Sequence, residues 1–210
     1  LDARLNQGGV LVMDSGRTSA AYSGHVSLFA VWEGRYALRA SPQVFIAPDE
    51  YGGAQVRDVG LGWSDQGLCS EIRNVEVNAW SGTAFQPRSP FRTLGPVTLQ
   101  LRLENGRYRG TVDNRSGWVL EDCVLLTRGH KPSQPFRLGA GCTPIDRGTR
   151  DRVEHPEGAS DRSQLFASIG RPEPGAVWLA GWLTSSPEPV HLVQPSLRSD
   201  TTLVLVVGRL

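Results

Sequence analysis

The sequence predicts an all-β fold, an antiparallel β-sandwich, and three observations carry that expectation. Apolar residues recur with period two through most of the chain, the mark of half-buried strands. An Asn105-Gly106 pair sits between two alternating runs, where a two-residue hairpin turn needs positive φ at both positions. Only one stretch has helical spacing, and parallel βαβ units need a helix between strands.

The first strand pair is expected in "GHVSLFAVWEGRYALRAS", a hairpin turning at Glu33-Gly34. Centred there, Val31 faces Tyr36 and Phe29 faces Leu38, giving apolar pairs on one face. "EIRNVEVNAW" reads as a further strand, with Ile72, Val75, Val77 and Ala79 alternating imperfectly.

Around Asn105-Gly106, counting outward pairs Leu103 with Tyr108, Leu101 with Gly110 and Leu99 with Val112. The opposite face carries Thr98, Gln100, Arg102, Arg109, Thr111 and Asp113, which is solvent chemistry. Past Gly117, Trp118, Leu120, Val124 and Leu126 share one face while Val119, Cys123 and Leu125 share the other. Apolar residues on both sides predict a central strand covered above and below.

"SDRSQLFASIGR" is the helical stretch, with Ser160 or Asp161 as cap, Leu165, Phe166 and Ile169 as buried stripe, and Gly170 as stop. "VWLAGWLT" and "TTLVLVVGRL" return to strand character. The Pro-containing "FQPRSPFRTLGP" (Phe85 to Pro96) suggests a division into a module over 1–90 and another over 96–210. One continuous β-domain over 1–210 is the alternative.

Composition narrows the function classes. The chain has 210 residues, 22 Lys plus Arg against 21 Asp plus Glu, and a net charge of +1. Charges alternate in sign, so the basic stripe of a nucleic-acid binder is missing and no nucleic-acid partner is expected. The longest apolar run near an end, "LVLVV", is strand-sized and far short of the roughly 18 residues that span a bilayer. Because the chain opens on Leu1, we expect a segment excised from a longer precursor.

"GRYRGTVDNRSGWVLEDCVLLTRG" followed by "FRLGAG" resembles bacterial extracytoplasmic Ig-like modules of uncharacterised membrane-anchored proteins. The matching residues are Gly110, Val112, Asn114, Leu120, Asp122, Val124, Leu138, Gly139 and Gly141, over about a third of the chain. The resemblance implies an Ig-like, non-catalytic region of the cell envelope, secreted, periplasmic or cell-surface, acting as an interaction or spacer module. It implies another protein or an envelope glycan as partner, and a membrane only through an anchor outside this segment.

Candidate chemistry is sparse. Cys69, Cys123 and Cys142 have no metal spacing. Cys123 and Cys142 are equidistant from the Pro132-Ser133 midpoint, so an in-register hairpin would bring them within disulfide range. The adjacent acid pairs Asp49-Glu50 and Glu121-Asp122 raise a glycosidase reading, but neighbours on a strand point to opposite faces, so Glu121 and Asp122 cannot both line one cleft. Asp122 is expected to bond the backbone of the Asn114-to-Gly117 turn. His25, His130, His155 and His191 are scattered, and neither H-E-x-x-H nor G-x-S-x-G occurs. "RDRVEHPEGASD" is acidic but lacks fixed calcium-ligand spacing, so a solvated loop is expected. Asn114-Arg115-Ser116 matches a glycosylation sequon.

No catalytic residue, metal or cofactor is expected. What stands out is six Trp. Trp178 and Trp182, four apart, share a strand face with Ala180 between them, which suits core packing, while Trp63 lies in the Gly-rich "GLGWSDQG". Exposed indoles are also binding platforms, so Trp63, Trp80, Trp178 and Trp182 are the candidate binding residues. A carbohydrate-binding module is the alternative function, and a hydrolase on a β scaffold the third.

Overall fold

The structure, a computed structural model, describes residues 3–40, 44–48, 55–64, 67–149, 169–183, 190–193 and 197–210. Among the described residues the chain is all-β, with no helix. The "SDRSQLFASIGR" helix and the "RDRVEHPEGASD" loop fall almost wholly outside them, as do Asp49, Glu50 and His155. The strands are β1 (Ala3–Asp14), β2 (Ser19–Ala30), β3 (Gly34–Ala40), β4 (Phe45–Pro48), β5 (Gln55–Ser64), β6 (Gly67–Val77), β7 (Ser81–Arg92) and β8 (Val97–Glu104). They continue as β9 (Arg107–Asn114), β10 (Leu120–Thr127), β11 (Phe136–Leu138), β12 (Gly141–Gly148), β13 (Ala176–Leu183), β14 (Val190–Leu192) and β15 (Leu197–Arg209).

Three sheets form, in the orders β11-β10-β13-β15-β1-β2-β7-β4, β12-β9-β8 and β14-β3-β6-β5. The largest is mixed, which departs from the expected antiparallel arrangement. A parallel pair needs a long crossover. The neighbours β1 and β15 have one, since the whole intervening chain connects them without any βαβ helix.

Two compact units arise. One comprises Leu1–Gly9, Tyr22–Pro90 and Ser185–Thr201, the other Val10–Ala21, Phe91–Thr184 and Thr202–Leu210. The strands β1, β2, β7 and β15 carry residues in both.

In the first unit the inward side chains of β1, β2, β7 and β4 meet those of β3, β6 and β14. Leu5, Val26, Leu28, Leu38, Ile46, Ile72, Val75, Phe85 and Val190 form its buried core. Each such side chain contributes about 1.5–3 kcal/mol by leaving water. The amide of Gln7, itself buried, donates to the Val190 carbonyl at 2.6 Å and accepts from the Val190 N–H at 3.2 Å. One side chain thus does for β14 what a neighbouring strand would do.

The Glu33-Gly34 hairpin does not form. β2 lies in the largest sheet and β3 in the sheet with β6 and β14, so the chain crosses between layers there. The pairing phase also differs. Val26, Leu28 and Ala30 are the buried set of β2, which turns Phe29 to the outside. In β6 the alternation slips because Asn74 adopts φ 53°, a bulge that puts two residues between Ile72 and Val75. Ala79 is exposed beyond the strand end.

In the second unit the Asn105-Gly106 hairpin has the expected register: Leu103 opposite Tyr108, Leu101 opposite Gly110 and Leu99 opposite Val112. Asn105 and Gly106 hold φ 50° and 71°, as a type I′ turn requires. Tyr108 is fully buried, its hydroxyl 3.0 Å from Thr127 Oγ1. The β10 strand is central, between β11 and β13, as the double-sided apolar pattern predicts. Its two-face assignment is corrected at Asp122, whose φ of 49° marks a second bulge. Leu120 then joins Cys123, and both crowd Gly181 of β13. Val124, Trp182, Ala180, Leu203 and Leu205 pack the other face, with Trp178 and Leu126 against them.

A candidate protein-docking face in the first unit

The face of the first unit opposite its core carries aromatic rings that the fold does not need. The turn after β6 is closed by Ser81, whose N–H and Oγ–H both donate to the Asn78 carbonyl, at 3.2 and 2.7 Å. Of its two central residues, Trp80 alone has positive φ, 56°, the pattern of a type II turn, whose third position favours Gly. A bulky residue there costs on the order of 1 kcal/mol. Trp80 is nonetheless 72% exposed, so core burial does not repay that strain. Its indole stands edge-on to Phe29 of β2, with centroids 6.5 Å apart and planes at 64°. Phe29 is itself 37% exposed.

Beside this pair lies an open groove of about 560 Å³, lined by Arg4 and Asn6 of β1, Ser27 and Phe29 of β2, and Gly82 and Ala84 of β7. Gly82 shapes its floor. A Cβ at that position would stand 3.1 Å from the Leu28 carbonyl oxygen, and a larger side chain would fill the depression. Arg4 Nε donates to Asn6 Oδ1 at 2.9 Å, which restrains the guanidinium along one wall. Trp32 and Phe45, both 63% exposed, add apolar surface elsewhere on the unit.

The other candidate residues are dispersed. Trp182 is buried and Trp178 half-buried against the same cluster, so both serve packing in the second unit. Trp63 lies on β5 opposite Leu68, in a strand and not the expected loop, and its side chain is outside the described residues. The Cys123–Cys142 disulfide does not form. Cys123 on β10 lies opposite Phe136, while Cys142 on β12 lies opposite Asp113, so the assumed hairpin register is absent and both thiols are free. Burial pushes the Cys123 thiol well above its usual pKa, whereas Cys142 is exposed.

The Asn114-to-Gly117 turn is tied by Asn114. Buried Asn114 donates to the Trp118 and Gly139 carbonyls at 2.7 and 3.0 Å, and accepts from Ser116 N–H and Oγ–H at 3.1 and 2.6 Å. A side chain so engaged is closed to glycosylation.

Ionisable groups form exposed pairs more than clusters. Glu121 meets Arg137 at 3.0 Å, and Arg107 meets Asp146 at 2.9 Å. Arg102, Glu104, Arg109, Asp146 and Arg107 link into one exposed network, and Glu71 of β6, 6% exposed, is bridged to Arg73 at 2.7 Å and Arg39 at 3.4 Å. Its hydrogen bond from Arg73 outweighs desolvation and holds the carboxyl below its ordinary pKa. His25, His130 and His191 lie on different elements, and no group of three potential metal ligands occurs among the described residues.

Sequence reasoning reached Trp80 through its residue type. It missed Phe29, assigned to the wrong face, and Arg4 and Gly82, which only strand pairing brings together.

No protein-family model and no curated protein matches the chain. Solved structures do show similarity to it. A yeast delta-COP-I mu-homology domain complexed with a WxWxV peptide is 7% identical, covering 99% of this chain and 96% of that one at TM-score 0.44. The yeast delta-COP-I mu-homology domain without the peptide gives 7% identity, 99% and 95% coverage, and TM-score 0.43. Similarity at this level carries no argument about ligand or mechanism. These neighbours are not bacterial envelope modules, however. The expectations of a bacterial extracytoplasmic interaction or spacer module and of a cell-envelope, membrane-anchored placement are corrected accordingly. The glycan partner and the membrane anchor have no support either.

Proposed function

We propose that the chain is a non-catalytic protein-binding domain whose docking face is the Phe29–Trp80 side of the first unit. The observation that carries this reading is Trp80: an indole in a backbone conformation that suits Gly, 72% exposed, beside an open groove. Strain held without a folding benefit is where function is sought, and Trp is the residue most enriched at binding hot spots. The scattered histidines and paired surface carboxylates support a role without bond-making chemistry.

The test is photo-cross-linking in the source cells, with benzoylphenylalanine at Ala84 in the groove and, separately, at Gln100 on the exposed face of β8. Position 84 should trap a discrete protein whose yield falls at least ten-fold in Trp80→Gly. Equal yields with and without the indole, or trapping from position 100 only, would refute the assignment.

A further inference from the structure

We infer that the segment taken by this face is an acidic, extended peptide with an apolar or aromatic anchor. The inference rests on the docking face proposed above and adds the chemistry of its occupant.

Several exposed arginines elsewhere in the described residues stand against carboxylates: Arg35 with Glu76, Arg102 and Arg109 with Glu104, Arg107 with Asp146, Arg115 with Asp113, Arg137 with Glu121. The groove face carries arginines of a different setting. On the outward positions of β1, β2, β7 and β4 within the first unit, the described residues include Arg4 and Arg88 and no Asp or Glu. Arg88 lies directly opposite exposed Phe45 on the β4–β7 ladder, so the cation–aromatic combination at Arg4 and Phe29 recurs two strands away. A face whose described charges are all positive, set between aromatic rings, is complementary to carboxylates flanking an apolar side chain.

The spacing follows from the sheet. Arg4 on β1 and Gly82 on β7 are separated by β2, two strand spacings or about 10 Å. An extended chain covers that in about three residues. The occupant therefore places an acid near Arg4 and, roughly three residues away, an anchor over Gly82 against the Phe29 and Trp80 rings. Gly82 is the position at which only a glycine leaves room for such an anchor.

The test is selection of a random dodecapeptide display library on the immobilised chain, with enriched peptides measured by fluorescence anisotropy. Enriched sequences should carry Asp or Glu within about three residues of an aromatic or aliphatic residue. They should bind Arg4→Glu about ten-fold more weakly, lose binding to Trp80→Gly, and weaken as salt rises. Neutral or basic peptides that depend on Trp80 would overturn the acidic occupant and leave the docking face intact. Peptides indifferent to both Trp80→Gly and Phe29→Ser would overturn both. A library with no enriched sequence would overturn the acidic occupant, and the cross-linking from position 84 then decides the face by itself.

Discussion

Trp80 and Phe29 meet edge to face, 6.5 Å between centroids, on the side of the first unit opposite its core. The contact joins the turn after β6 to β2, and neither ring is needed to fill the interior. Removing the indole should therefore separate binding from stability.

Trp80→Gly should change the free energy of urea unfolding by less than about 1 kcal/mol. It loses an aromatic pair worth about 0.5–1.5 kcal/mol and relieves left-handed strain of about 1 kcal/mol, with the added chain entropy of Gly a smaller cost. A loss above about 2 kcal/mol would mean that the indole serves the fold.

Asn114→Ala should destabilise by about 2–4 kcal/mol, because the half-buried Trp118 and Gly139 carbonyls and the buried Ser116 hydroxyl lose their partner together. Tyr108→Phe removes one hydrogen bond at Thr127 and should cost about 1 kcal/mol. Chemical denaturation of the two variants gives the comparison, and equal losses would show that Asn114 is not the keystone of its turn.

Stability should decline as pH falls past 4.5, the ordinary value of a glutamate carboxyl, through the lower value that Glu71 has in the fold. In that window the unfolded chain binds the proton more tightly than the native one, so acid favours unfolding. Above it the contribution is fully present. Glu71→Gln should flatten this part of the profile. An unchanged slope in thermal melts between pH 6 and 3 would assign the acid sensitivity to other carboxylates.

Thiol labelling should distinguish Cys123 from Cys142. Cys142 should react with iodoacetamide in the native protein, while Cys123, buried with a raised pKa, should react only on unfolding. Peptide mapping of non-reduced protein should show no Cys123–Cys142 bridge, and Cys142→Ser should leave the melting temperature unchanged. Finding that bridge would contradict the register of β10 and β12.

What was legible in the sequence was local. Asn105-Gly106 dictates its turn through φ alone, so the hairpin register follows by counting. Glu33-Gly34 looked similar but lacks that constraint, and the chain there passes from one sheet to another because Val26, Leu28 and Ala30 bury in the opposite phase to the one assumed. The bulges at Asn74 and Asp122 shift the alternation by one residue, which a strict period of two cannot register. Pairing of β1 with β15 joins the two ends of the chain, and no local signal specifies it. The groove was hidden for the same reason. Arg4, Phe29 and Gly82 are remote in sequence and converge only through β1, β2 and β7.

The most direct test of the docking face is the indole Nε1–H region of a proton–nitrogen correlation spectrum. The Trp80 peak is identified by its loss in Trp80→Gly, and the cross-linked partner or a selected peptide is titrated in. The Trp80 resonance should shift with saturation while that of buried Trp182 stays fixed. A Trp80 peak that does not move while the ligand binds would place the interaction elsewhere and remove the central claim.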